Sequence, residues 1–546
     1  LDARISATEE EVALTQMSFE IGDAPGRGTF SYRPAGEGSA RVRVDVDAER
    51  LDADQVGLLA RLFLNTAGEG GKPVGSGAAE ISARLFAQSV AIGALEARNA
   101  TLIASYADDG LDIEALSVGD LAGAKVEASG TISDLSSVPT GDLSATVDAD
   151  RLEGVTGLLA RIWPDARFLQ AFQARAQSLA PTRLALTFHG EADGTETRAS
   201  IKASGEAGGT AIDLSGGLEG RLDTWREAQV DMTGGLGNPD GGKLLAQLGF
   251  PVLPLSSLGD GRIEISLAGR PASALEGSTR LYLGDAMSLS AVGSLSLPID
   301  ADASYSAELE AGIEDVTLLA LLSGRLPALT ASSGAAELVA KLDGAGDAFT
   351  VRDLSGRLAG AAVDGSLDVD LRLGGPDLPP RIRGKLSTSQ FDVLALSDLV
   401  LGTDPLADAG PSGWSTSPFG PSLVPPMDLA LDISATRLSL SDLPELSGAS
   451  GRLSLSSDAM ALDLSEAGVS GGRLSGSFGV KRIDGQASIS GSVKVEDAAL
   501  EEFVWTRNAR AVAKGTVDVG LDFDGTGRSL SAVVASLAGG ATLQVR

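Results

Sequence analysis

The chain has 546 residues, with 43 Lys and Arg against 74 Asp and Glu, a formal net charge of −31. Such a polyanion repels phosphate backbones and anionic headgroups, which disfavours a nucleic-acid binder or a basic membrane clamp. The absence of cysteine excludes thiolate metal sites, cysteine nucleophiles and disulfides, a lone histidine (His189) excludes any site needing two imidazoles, and the length disfavours a single compact core.

Hydrophobic residues make up 43% of the chain, so it has ample surface to bury, while 14 Phe, 4 Tyr and 4 Trp are few for stacking on bases or sugars. From the N-terminus, period-2 alternation begins at Arg41–Asp47, where Val42, Val44 and Val46 share one face. Val56, Leu59 and Phe63 then fall on one helical face. The strand and helix recur at Val147–Leu152 and at Val155, Leu158, Leu159 and Ile162, before Pro164 stops the turn. Gly57–Phe63 and Gly157–Trp163 match almost letter for letter, and looser copies follow at Lys243–Leu248, Asp315–Leu322, Phe391–Val400 and Asp497–Val504. A repeated strand–helix unit predicts a stacked array.

Alternation returns at Leu184, Leu186 and Phe188, at Ile263, Ile265 and Leu267, at Leu429, Leu431 and Ile433, and at Val517, Val519, Leu521 and Phe523. Asp-Gly pairs at 193–194, 343–344, 364–365, 484–485 and 524–525 read as hairpin turns. The pattern predicts a mainly β fold, an elongated, curved antiparallel sheet with short interspersed helices. Residues 1–403 form the repetitive region, and the Pro-rich stretch 404–426 reads equally as a linker between modules or as a surface loop. No run approaches the length of a membrane span, the longest being of the kind seen at Leu318–Leu322. The chain opens on Leu1 and its last residues, Ala532–Arg546, read as strand-and-turn material stopped in mid-pattern, so it reads as a portion of a longer protein with any anchor outside it.

The chemistry-bearing motifs are weak. Gly468-Val469-Ser470-Gly471-Gly472 has the letters of a nucleophile elbow, but it lies between alternating segments and lacks a helix behind it. His189 reads as a surface residue at a strand end. Asp368/Asp370 and Asp522/Asp524 lack the offsets of a calcium loop, and no phosphate-binding fingerprint occurs. The sequence therefore predicts no enzyme, no metal and no cofactor. What remains is the apolar face, which is either closed in sandwiches or left as an open trough; periodicity does not separate the two.

A resemblance bears on that choice. Trp414–Phe419, Met427–Leu438, Gly471–Ser477, Gly525–Leu530 and Ala535–Gly540 follow one another in an order similar to the C-terminal region of the AsmA family of bacterial envelope proteins. Residues 427–546 form that AsmA-like region, cut short at its end. The resemblance implies a periplasmic body anchored to the inner membrane by an N-terminal helix outside this chain. It also implies kinship with bridge-like lipid transfer proteins, whose U-shaped sheets carry phospholipid acyl chains. The alternating residues Val42, Val44, Val46, Leu184, Leu186, Phe188, Ile263, Ile265, Leu267, Leu429, Leu431, Ile433, Val517, Val519, Leu521 and Phe523 are then candidate groove lining. The expected partners are phospholipids, the inner membrane and outer-membrane proteins, and the expected role is a lipid conduit between the two membranes. A scaffold for outer-membrane protein assembly is the alternative.

Overall fold

The computed structural model describes residues 2–21, 24–34, 39–52, 80–92, 95–121, 123–135, 138–162, 173, 175–194, 196–221, 224–250, 258–299, 301–316, 318, 334–371, 378–403, 413–439, 445–502, 506–507, 510–511 and 513–546. The chain is mainly β and divides into two compact units, 1–249 with 260–277, and 250–259 with 278–546.

In the first unit the strands are β1 (Asp2–Ala7), β2 (Val12–Ile21), β3 (Ala24–Arg33), β4 (Arg41–Asp52), β5 (Glu80–Ile92), β6 (Leu95–Ala107) and β7 (Gly110–Leu121). They continue through β8 (Ala124–Ser133), β9 (Thr140–Ala149), β10 (Thr182–Asp193), β11 (Glu196–Ala207), β12 (Thr210–Gly220), β13 (Gln229–Asn238) and β14 (Gly261–Arg270). Each strand pairs with the next, and every pairing is antiparallel except β4 with β5. Helices α1 (Glu153–Ile162) and α2 (Ala176–Leu179) lie between β9 and β10, and α3 (Gly241–Leu248) lies between β13 and β14. The expected helix after Val147–Leu152 is therefore present. Its first copy, at Val56–Phe63, lies outside the described residues.

These helices sit at one set of strand ends, and the tightest burial is there. Leu51, Ala97, Leu121, Ala124, Ala149 and Ala207 are all buried near that edge. Ala124 and Ala149 pack with Leu152 and Ala176. At α3 the Asp240 side chain accepts hydrogen bonds from the amides of Gly242 and Lys243, which caps the helix, and Leu244 and Leu245 are buried. The buried Gln247 amide nitrogen donates to the carbonyls of Ser178 (2.9 Å), Ala207 (3.2 Å) and Gly208 (3.2 Å), tying the helix to the strand ends.

Strand β15 (Ala274–Leu283) straddles the division between the units. The second unit holds β16 (Met287–Ser296), β17 (Ser304–Ile313), β18 (Ala336–Ala345), β19 (Ala348–Leu358), β20 (Ala361–Asp370), β21 (Arg381–Asp392), α4 (Val393–Leu401), β22 (Asp428–Ser439) and β23 (Leu446–Leu455). It ends with β24 (Ala459–Val469), β25 (Gly472–Ile483), β26 (Gln486–Ala499), the small hairpin β27 (Thr506–Arg507) and β28 (Arg510–Ala511), β29 (Thr516–Gly527), α5 (Leu530–Ser536) and β30 (Ala538–Val545). From β16 to β26, then β29 and β30, neighbours pair antiparallel except β21 with β22.

The two parallel steps depart from the all-antiparallel expectation. A hairpin cannot place two strands side by side in the same direction, so a long connection must bring the chain back to the starting edge. Between β21 and β22 that connection includes α4 and the segment 413–427. Residues 378–403 and 427–546 both lie in the second unit.

Candidate functional site

Directly opposed residues on neighbouring strands project to the same face, so the register defines transverse rows. In the first unit one row runs Val46, Leu85, Leu102, Leu116, Ala128 and Ala145, then Leu186, Ala203, Leu214, Gly234 and Ile265. It crosses eleven strands without a polar side chain. Ten steps of about 4.8 Å make it roughly 48 Å along the sheet. A parallel row carries Val126, Val147, Leu184, Gly205, Ile212, Leu236 and Ile263, and another carries Leu143, Phe188, Ile201, Gly216, Met232 and Leu267.

The opposite face is wet. Arg183 meets Asp148 at 3.6 Å, and Arg198 bridges Asp193 and Glu219, each at 2.8 Å. His189 lies within β10 on this face, with Nδ1 at 2.7 Å from Asp142 and Nε2 at 3.1 Å from Glu191. The bond to Asp142, then that to Glu191, raises its pKa above the ordinary value. This clamp was missed in the sequence because Asp142 lies 47 positions away.

On β10 to β13 the described members of these rows are half-buried or exposed, whereas Val147 on β9 packs with Ala149, Leu152 and Ala176, and Ile263 on β14 is buried. Leu186 is 37% and Ile201 55% exposed. The backbone donors and acceptors beneath are committed to the ladder, so this face offers hydrocarbon alone.

In the second unit the corresponding row runs Gly293, Ala307, Leu342, Val351, Leu367 and Gly384, then Leu431, Leu453, Leu462, Phe478, Gly491 and Phe523. Its members as far as Val351 are half-buried. On β22 to β25 a layer covers the row: α4 and its following segment form one core with the strands, including Val393, Val400, Val424, Leu431, Leu453 and Leu462, with Leu367 on β20 and Phe478 on β25 packed against it. The Ser397 hydroxyl donates to the Val393 carbonyl (2.7 Å) and meets the Met460 sulfur at 3.7 Å. Arg482 donates to the carbonyls of Val400 (3.2 Å) and Leu401 (3.1 Å), closing the helix C-terminus.

The candidate lining residues therefore differ in surroundings. Val46, Leu186 and Ile265 share one row, as do Leu431 and Phe523 in the other unit. Val42 is buried, and Val44 and Val46 pack with Met17, Phe19, Ala48 and Leu51. Leu184, Phe188, Ile265 and Leu267 are half-buried, and Ile263 is buried. Leu431 and Ile433 lie in the core shared with α4, with Leu429 packed beside them. Along β29 exposure grows from Val517 (2%) through half-buried Val519 to Leu521 (39%), with Phe523 half-buried beyond.

Ser470 and Gly471 occupy a tight hairpin turn, with φ of 46° and 78°. Asp368 accepts a hydrogen bond from Thr350 Oγ1 at 2.9 Å. Among the described residues no cluster of three metal-ligating side chains occurs, and no helix is long and apolar enough to cross a membrane. No protein-family model, curated protein or solved structure matches the chain.

Proposed function

We propose that this chain holds the acyl chains of phospholipids on its open apolar face and forms a section of a periplasmic path that carries them between the two membranes of a bacterial envelope. The observation that supports this reading is the set of half-buried and exposed apolar rows on β10 to β13. Exposed, continuous apolar surface on this scale marks a place for an apolar ligand. The rows offer no hydrogen-bonding group, which suits hydrocarbon better than a polar metabolite or a peptide backbone. Taking an acyl chain of about 16 carbons through water costs on the order of 10 kcal/mol, at about 0.8 kcal/mol per methylene. A sheet face that shields the chain lowers this barrier with no chemical step. The resemblance of residues 414–540 to the AsmA family supplies the envelope setting.

The test is mass spectrometry of lipids retained by the purified protein. Ile201→Asp and Leu186→Asp should lower the phospholipid load severalfold, whereas Ser200→Asp on the wet face should leave it unchanged. Equal loads in all three variants would overturn the proposal. A second reading, a scaffold for outer-membrane proteins, draws on β30, whose eight residues are all exposed, as in strands that accept a partner strand.

A further inference from the structure

Helix α4 occupies the position on β22 to β25 that hydrocarbon would take under the lipid-binding reading, on which this inference rests. We infer that α4 is a fixed end-stop within the second unit: the acyl-chain surface on β16 to β19 ends where Leu367 of β20 packs against the α4 core, and α4 closes β22 to β25.

Three independent features make the helix a permanent layer. Val393 and Val400 are fully buried and Leu401 nearly so, at 0%, 0% and 2% exposure, all within the core that contains Leu431, Leu453 and Leu462. Both ends are secured, by Asp392 accepting from the Ala395 amide (2.9 Å) and by Arg482 on the last carbonyls. The connection that follows is stitched down in turn: the Leu423 amide donates to the Leu399 carbonyl (2.8 Å), and the Phe419 amide to the Arg528 carbonyl (2.9 Å). Phe419 and Val424 from this connection belong to the same core.

The contrast with β18 and β19 is sharp. Leu342 and Val351 stand in the same transverse row as Leu431 and Leu462, yet remain half-buried and outside the α4 core. The row is apolar throughout, and its burial deepens where it meets the α4 core. A hydrocarbon chain following the row from β18 meets side chains of α4 in place of open surface.

The test places a photoactivatable phenylalanine analogue at three native phenylalanines. Phe188 on β10 and Phe349 on β19 are half-buried and outside the α4 core, and Phe478 on β25 packs against that core. The probe is tritiated dipalmitoyl phosphatidylethanolamine presented in vesicles. Labelling is expected at Phe188 and Phe349, and at least about tenfold less at Phe478, because an uncovered state would be a minor population. Labelling at Phe478 equal to that at Phe349 overturns the end-stop while leaving lipid binding intact. No labelling at any position overturns lipid binding itself, and the end-stop with it. A Val393→Asp/Val400→Asp variant, with strand content verified by circular dichroism, should raise the Phe478 signal to the Phe349 level; failure to do so overturns the assignment of α4 as the barrier.

Discussion

The glycines inside strands do work that their letters alone conceal. Asp-Gly pairs at 193–194 and 484–485 do form turns, but Gly344, Gly365 and Gly525 lie within β18, β20 and β29. Gly365 faces Leu386, and a Cβ there would stand 2.4 Å from the Lys385 carbonyl oxygen. Gly205, opposite Leu184, has a φ of 144° that L side chains rarely adopt, and its Cβ would meet the Arg183 oxygen at 2.0 Å. Gly205→Ala should cost about 1–3 kcal/mol in denaturant unfolding, the usual size of enforced backbone strain. His189 gives a second test, because a lone histidine yields one resolvable imidazole signal. Its NMR midpoint should lie above the ordinary value, and Asp142→Asn should lower it. A raised folded pKa stabilises fully below the unfolded value of about 6.5 and is lost as pH rises through the folded pKa. This clamp therefore favours the fold on the acid side, and only modestly, since both partners are solvated.

Within single elements, bulges and helix ends decide which residues reach the core. Gln16, Asp353 and Asp497 have φ between 50° and 54°, and each falls at a shift of strand register. An extra residue of this kind re-aims the side chains that follow, so strict alternation fails across it. Asp tolerates this conformation better than branched residues do, which accounts for two of the three choices. The parallel step of β22 has its own fastening: Asp428 receives Arg383 at 3.0 and 3.1 Å, and Arg381 at 3.3 Å. The Arg383 hydrogen bond leads in holding the Asp428 carboxyl below the usual carboxylate range. Its contribution is present above the unfolded pKa and is lost as acid carries the pH down through the folded one. Asp428→Asn should therefore flatten the acid limb of a stability profile measured by thermal melting. For helix α4, Leu462→Ala empties space in a closed core and should cost about 2–5 kcal/mol, whereas Leu186→Ala on the open face should cost well under half as much. Chemical denaturation of the two variants checks the contrast.

At the scale of the molecule, each unit is a run of strands in which nearly every contact is made with the next strand in sequence. Such a ladder can grow by adding strands without enlarging a central core, which is how a chain of this length avoids the surface-to-volume limit of a single globule. It also leaves one broad face to be covered or not, strand by strand. If the open rows bind phospholipid, adding phosphatidylethanolamine vesicles should protect amides of β10 and β11 from hydrogen exchange while leaving β23 and β24 unchanged. Equal protection in both places would contradict the division between open and covered surface.

The alternation at 184–188, 263–267, 429–433 and 517–523 was enough by itself to give strands with one apolar and one polar face, because successive side chains must point in opposite directions. A helix at Val155–Ile162 was likewise legible from apolar spacing, and those at Lys243–Leu248 and Phe391–Val400 as looser copies of the same repeat. What alternation does not encode is the neighbour. The two parallel steps, the clasp on His189 and the roof over Leu431 and Ile433 all depend on contacts between residues distant in sequence. Leu186 and Leu431 are the same residue type in the same kind of strand; one faces open space and the other a helix, and tertiary packing alone makes that difference.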